Sequence, residues 1–330
     1  MGAVRDVGSS RENHATLATA IAASSPWRST SLKGILGSGG RWHHSDMTAS
    51  AVRRVALRKA DRVALVILIL AGLTAFYATA IEPHWLEVSR HELPAAVRTR
   101  LTVAQVSDLH TGGVGRRERA VLEALERERP DLIVITGDSV VDGDLFAPKL
   151  GLPDDPSYGK VADVLRRMRA PLGVWAVRGN WENVRHTRDE RAFYAAAGVR
   201  LLVNESAQVR DDFWLVGLDD ADSGGPDVAR AQKGLPGEVA SVTLMHSPAF
   251  FTRLPESLPL ALAGHTHGGQ VRLPGVAPWL PSGSGEFVSG WYSKGKARLF
   301  VSRGIGTAML PIRFGCRPEL AIFSLVPGPH

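Results

Sequence analysis

Residues 63 to 81, "VALVILILAGLTAFYATAI", run for 19 positions without a charged side chain. As a helix this segment spans about 28 Å, close to the hydrocarbon thickness of a bilayer. A helix buried in a soluble core ordinarily shows a polar face. The run is therefore read as a transmembrane or signal-anchor helix. Arg53, Arg54, Arg58, Lys59 and Arg62 stand just before it, whereas Arg90 is the only lysine or arginine in the fifteen positions after it. By the positive-inside rule the N-terminus is cytoplasmic. The expectation is a single-pass protein of the cytoplasmic membrane, with its large C-terminal part on the extracytoplasmic side. "ATA" at 78 to 80 has the small-x-small form of a signal-peptidase site. "RRVAL" loosely resembles a twin-arginine export signal, with Ala56 in place of a bulky apolar residue. A retained anchor is the preferred reading.

Residues 1–46 are rich in Ser, Ala, Gly and Arg without periodicity, as in a disordered arm. Translation from Met47 would omit them. Residues 47–62 form a basic juxtamembrane segment, 63–81 the anchor, 82–99 a connecting strand and linker, and 100–330 a catalytic domain. The net charge of +6 comes from residues 1–62, the arm and the juxtamembrane segment together, because from residue 63 onward there are 29 residues of each sign. No nucleic-acid partner is expected of so balanced a domain. Cys316 is the single cysteine, which excludes an intramolecular disulfide and a CxxC zinc site.

Beyond the anchor, apolar strand-like runs alternate with helical stretches. "RLTVAQVSDLH" is followed by "RRERAVLEALERERP", "DLIVITGD" by "YGKVADVLRRMRA", and "LGVWAVRGN" by "RDERAFYAAAG". This alternation predicts an α/β architecture. Polar residues collect where the apolar runs end: Asp108, His110, Asp138, Asn180, His246, and the pair His265 and His267 in "LALAGHTHGGQV". In open α/β sheets that edge is where sites assemble. Neutral imidazole is the commonest protein metal ligand, and glycines beside it allow sharp turns. Singly, an Asp or Asn after a strand is as readily a helix cap. Seven such residues at one edge fit a metal centre better.

The ordered series D-L-H, G-D-S, G-N-W-E, M-H-S-P and G-H-T-H-G-G-Q resembles the calcineurin-like metallophosphoesterases over about residues 100 to 315. "IEPHWLEVSRHELP" and "SRGIGTAMLPIRFGCRPEL" resemble its membrane-anchored or exported bacterial branch. The resemblance implies two mixed β-sheets sandwiched between helices, preceded by the N-terminal transmembrane helix, and two divalent metal ions. Asp108, His110 and His267 would bind the first ion, Asn180, His246 and His265 the second, and Asp138 would bridge both. A bridging hydroxide would attack the phosphorus, with Asp138, Asn180 and His265 among the residues holding it and the phosphate. Such a mixed O and N ligand set suits manganese, taken as the working choice, as well as iron or zinc.

Two further residues bear on catalysis. Arg178, two positions before Asn180, is a candidate for neutralising a phosphate. Trp181 stands where the family has a histidine thought to help protonate the leaving group. Indole has no proton that titrates near neutral pH, so general acid catalysis from this position is lost. Glu182 and His186 are the substitutes within reach in sequence.

The function expected is phosphodiester or pyrophosphate hydrolysis of a phosphorylated small molecule or lipid at the membrane. The branch resemblance points to a lipid-linked substrate such as UDP-2,3-diacylglucosamine. That nucleotide sugar is cytoplasmic, which conflicts with the charge-based orientation. The alternative is a catalytically weak metal-binding sensor or scaffold. Trp279, Phe287, Trp291 and Tyr292 could form an apolar rim for an acyl chain.

Overall fold

The computed structural model describes residues 44–140, 156–185, 190–237 and 239–328. Residues 1–43 of the expected arm, and His186, lie outside them. The chain divides into two units, Met1–Arg62 and Val63–His330. Of the first, the described part is the leading stretch of helix α1, His44–Phe76. Everything below concerns the second.

From Val63 to Phe76 the side chains of α1 are solvent-exposed, apolar ones included. The helix widens into a π turn, Tyr77–Ile81, then tightens into a 3-10 turn, Glu82–His84, at Pro83. Proline has no N–H to continue the ladder, which ends the helix there. Asp61–His84 is long and apolar enough to cross a membrane.

Two six-stranded mixed sheets follow. In the first, β1 (Glu87–Ala95) is the edge, then β12 (Glu319–Pro327), β2 (Leu101–Val106), β3 (Leu132–Thr136), β4 (Val174–Val177) and β5 (Val199–Leu201). All its pairings are parallel except β12 with β2. The second runs β10 (Gly290–Lys294), β11 (Ala297–Val301), β9 (Leu260–Ala263), β8 (Ala240–Leu244), β7 (Phe213–Gly217) and β6 (Glu205–Arg210). Here only the outer pairs, β10 with β11 and β6 with β7, are antiparallel.

Side-chain alternation builds three apolar layers from these strands. On β3, Leu132 and Val134 point into the core between the sheets, where Leu215, Val242, Leu262, Phe300 and Phe323 meet them. Ile133 and Ile135 point the other way, to Val121, Ala124 and Leu125 of α2 (Arg116–Glu128) and Val161 and Leu165 of α3 (Pro156–Leu165). The outer face of the second sheet packs Val216, Ala261, Ala263 and Leu299 under the 3-10 helix Pro248–Arg253, with Phe251 and Phe287. The fold is thus the expected pair of mixed sheets with helices.

Candidate metal centre

The C-terminal ends of five strands converge on one place. Strand β2 leads to Asp108 and His110, β3 to Asp138, β8 to His246, and β9 to His265 and His267. Strand β4 leads to Asn180, the first residue of α4 (Asn180–Arg185). The ladder outlasts the regular strands. Asp108 N–H donates to the Gly137 carbonyl at 3.1 Å, His110 N–H to that of Asp138 at 3.0 Å, and Gly264 N–H to that of His246 at 3.1 Å.

At that edge the backbone turns left-handed. Asp108 (φ 50°), His110 (39°), Asp138 (53°), His265 (72°) and His267 (50°) all have positive φ. Among the described residues only nine that are not glycine do so, and five of them are these. Each costs roughly 1–3 kcal/mol, which persists only where surrounding packing over-determines it. Here it turns each side chain off the strand end and into a common space. Glycines make the approach possible: a Cβ on Gly264 would collide with Ser107 and Asp108, and one on Gly179 with the Asp138 carboxylate. That is the physical reason for glycine directly before His265 and Asn180.

The side chains meet in two groups, Asp108 with His110 and His267, and Asp138 with His246 and His265; within each, the donor atoms lie within 4.8 Å of one another and every residue is buried. In the first, His110 Nε2 lies 3.2 Å from His267 Nε2, which is 3.5 Å from Asp108 Oδ1. In the second, His246 Nε2 lies 3.2 Å from Asp138 Oδ2 and 3.0 Å from His265 Nδ1. Asn180 Oδ1 completes that group, 3.1 Å from both imidazoles. Asp138 Oδ2 is also 3.5 Å from His110 Nε2, so one carboxylate oxygen faces both groups.

The electrostatics follow from burial and carboxylates. Burial holds the pKa of His110 below the ordinary imidazole value, and burial beside His110 and Arg313 holds that of His267 well below it. Both are therefore neutral, as metal ligation requires. For His246 burial acts downward, but the carboxylates of Asp138, Asp108 and Asp220 outweigh it and raise the pKa well above the ordinary value. Burial would raise the Asp138 carboxyl, yet His246, His110 and the Trp181 N–H hold it low. His246 donates its Nδ1–H to the Thr136 carbonyl at 2.8 Å, which aims Nε2 at the site. His265 directs Nε2 at the Ser282 carbonyl, leaving Nδ1 for the cluster.

The donor set fits divalent ions on this geometry. Imidazole nitrogens and carboxylate oxygens that converge at 3.0–3.5 Å are held together by shared protons or by a cation between them, and these ligand types suit a divalent ion. Two such groups share one carboxylate oxygen, an arrangement able to hold a metal pair.

The neighbouring candidates are engaged differently. Trp181 is half-buried, its ring edge-on to His110 with centroids 6.3 Å apart, and its N–H from the backbone donates to Asp138 Oδ1 at 3.0 Å. Glu182 is buried and accepts from the backbone N–H groups of Asp138 (2.9 Å), Ser139 (2.7 Å) and Gly179 (2.8 Å), and from the Tyr194 hydroxyl (3.2 Å). Burial and the Asp138 charge push its pKa up to about 7. Its carboxylate braces the Asp138 turn instead of facing the two groups. Arg178 forms a two-toothed pair with Asp219 at 2.6 and 2.8 Å and reaches Glu190 at 3.2 Å. Its charge is thus already matched by carboxylates.

Asp219 and Asp220 are further site neighbours, which the motif series does not include. They end "FWLVGLDD", an apolar strand run closing in acids like the others. Asp220 is buried, accepts from Ser247 Oγ beside His246, and adds to the field on that imidazole. Ser107 is a further support, donating from Oγ to Asp108 Oδ2 at 2.6 Å.

Comparison with known proteins agrees with this architecture. A family model described as calcineurin-like phosphoesterase matches residues 101–269. The uncharacterized metallophosphoesterase YkuE of Bacillus subtilis is 29% identical over 262 residues, covering 76% of this chain and 88% of that protein. Phosphodiesterase YaeI of Escherichia coli is 27% identical over 263 residues, covering 76% and 92%. A bovine transmembrane protein with metallophosphoesterase domain is 28% identical over 304 residues, covering 84% of this chain and 64% of that protein.

Proposed function

The chain belongs to the calcineurin-like phosphoesterase family and is a metal-dependent phosphoester hydrolase, and we propose that it acts as a membrane-anchored phosphodiesterase on lipid-linked phosphodiester or pyrophosphate bonds. The observation that carries this reading is Asp138 Oδ2, which faces His110 of one buried group and His246 of the other. Asp108, His110 and His267 would hold one divalent ion, Asn180, His246 and His265 the other, and Asp138 would bridge them. Manganese is the working choice, and the ligand types suit iron or zinc as well. Two such ions about 3.5–4 Å apart lower the pKa of bound water and neutralise the phosphoryl oxygens.

The chain's own residues supply the rest. Burial keeps His110 and His267 free of competing protons. Asn180 adds a neutral oxygen between His246 and His265, which limits the negative charge facing a phosphate. Trp181 contributes packing against His110 and no acid, so leaving groups that depart without protonation are preferred. Arg178 acts by holding Asp219 and the neighbouring turn; a direct role on phosphate would require it to leave that pair.

Anchoring rests on the helix Asp61–His84, and is in keeping with the transmembrane relative from cattle. The basic cluster from Arg53 to Arg62 favours an extracytoplasmic catalytic domain. On that side the substrate is a lipid-linked phosphoester of the outer face; on the cytoplasmic side the nucleotide sugar UDP-2,3-diacylglucosamine returns as the candidate. A reporter enzyme fused after residue 330 decides between them by the compartment in which it is active. Activity is tested with the full chain in detergent and Mn²⁺, using bis(p-nitrophenyl) phosphate. Turnover by wild type and its loss in Asp138→Asn is the expected result. A folded, metal-loaded wild type without turnover on this ester or on lipid phosphodiesters would favour the sensor or scaffold reading.

A further inference from the structure

Among the described residues, every large apolar side chain that is exposed lies on the apolar helix, at its exit, or in two loops beside that exit. The first loop, residues 271 to 281, carries Leu273, Val276 and Trp279, the last 70% exposed. The second, 307 to 312, carries Met309 and Leu310, both more than half exposed. At the exit itself stand Ile81 and Trp85. An exposed apolar set of this kind marks an interaction surface when it is contiguous.

Hydrogen bonds tie the three parts together. Arg313 N–H donates to the Ala78 carbonyl at 2.9 Å, and Gly315 N–H to Glu82 Oε2 at 3.0 Å. Tyr77 meets Phe314 edge-on at 6.1 Å. The loops are joined to each other by Gln270, whose side-chain amide donates to the Ala308 and Leu310 carbonyls at 3.1 and 3.0 Å and accepts from Ala308 N–H at 2.8 Å. Arg313 is fully buried and grips the carbonyls of Arg303, Gly304, Gly306 and Cys316, which fixes the second loop at its base. The apolar tips are thus held next to the point where α1 and its exit turns end.

Both loops are also rooted in the metal centre. The first begins four positions after His267 and returns at Ser282, whose carbonyl meets His265 Nε2. The second begins at Gly306, whose N–H donates to the Asp108 carbonyl at 2.6 Å. Trp85 is capped by the Arg317 guanidinium 4.3 Å above its ring, an aromatic and a basic group paired as at a headgroup boundary.

Resting on the reading that the apolar helix spans a membrane, we propose that loops 271–281 and 307–312 form a second, shallow contact with the same bilayer. The occupant is the lipid surface, because the patch continues an apolar helix whose own partner is lipid and no charged side chain lies between Val276 and Trp279 or between Gly306 and Ile312. This contact holds the metal centre at headgroup level, so the site meets phosphoesters embedded in the membrane before those free in water. A second copy of the chain, or a soluble partner, is the competing occupant.

The test labels single introduced cysteines with the fluorophore NBD in the full chain, in vesicles of phosphatidylethanolamine and phosphatidylglycerol containing doxyl lipids. Cys316 is buried and serves as the unsubstituted background. Val276→Cys and Leu310→Cys probe the loops, Leu68→Cys the middle of the helix, and Arg127→Cys the exposed face of α2. Expected is quenching of 276 and 310 by lipid doxylated near the headgroup, of 68 by lipid doxylated deep in the chain, and none at 127. Quenching at 68 with 276 and 310 as dark to lipid as 127 overturns the loop contact and leaves the anchor standing. Loops shielded from both lipid quencher and aqueous iodide would assign the patch to a protein partner and overturn it equally. No quenching at 68 would overturn the anchor and the inference with it.

Discussion

His110 and His267 face each other through their Nε2 atoms at 3.2 Å, with rings stacked at 5.0 Å and both imidazoles buried. Without a cation two neutral rings so placed can share one proton between their Nε2 atoms, whereas a cation takes a lone pair from each. Divalent metal should therefore raise the melting temperature of the chain, and a chelator should lower it. Saturation at a hundredfold excess over Kd corresponds to about 2.7 kcal/mol. Thermal unfolding with and without Mn²⁺ measures this, and His267→Ala should lose much of the increment.

Metal binding at the second group should release a proton. His246 has a raised pKa and is protonated in the metal-free protein near neutrality, whereas a ligating imidazole is not. Affinity then rises with pH until the solution passes the metal-free pKa of His246, and falls as pH drops. Calorimetry in two buffers of different ionisation enthalpy at about pH 7 should show the release, and His246→Gln should abolish its share.

Glu182 gathers three backbone N–H groups and the Tyr194 hydroxyl, so Glu182→Gln substitutes an amide N–H₂ for one accepting oxygen. At least one buried N–H loses its partner. A loss of about 1–3 kcal/mol in stability is expected from denaturant unfolding. Activity should fall further than stability explains, because the displaced turn carries Asp138.

Trp181→His should restore a titratable group beside His110. General acids contribute about 10²–10⁴-fold, and the benefit is confined to leaving groups that need a proton. Turnover of an alkyl phosphodiester should rise while that of a nitrophenyl ester changes little. Equal effects on both would assign Trp181 to packing alone.

Much of the centre was legible because each candidate ligand follows an apolar run, and strand ends in α/β sheets converge. The unbroken apolar run of Leu132, Ile133, Val134 and Ile135 likewise reads as a strand buried on both faces. Other features depend on pairings that local patterns do not contain. Strand β1 lies beside β12, with Glu87 opposite Glu319 across more than two hundred residues. Arg178 stands two residues from Asn180 in sequence, yet Asp219, which no spacing rule linked to it, takes its guanidinium. The left-handed backbone at Asp108, His110 and Asp138 is imposed by the turns and glycines around them, against the intrinsic preference of those residues.

The account stands most directly on two ions sharing Asp138. Electron paramagnetic resonance of the Mn²⁺-loaded full chain reads this, because ions about 3.5–4 Å apart couple their spins. The predicted result is a coupled spectrum from wild type that Asp138→Asn converts to that of isolated Mn²⁺ or of weakly bound metal. A wild-type chain saturated with Mn²⁺ that shows only isolated ions, unchanged in Asp138→Asn, would contradict the shared-carboxylate centre.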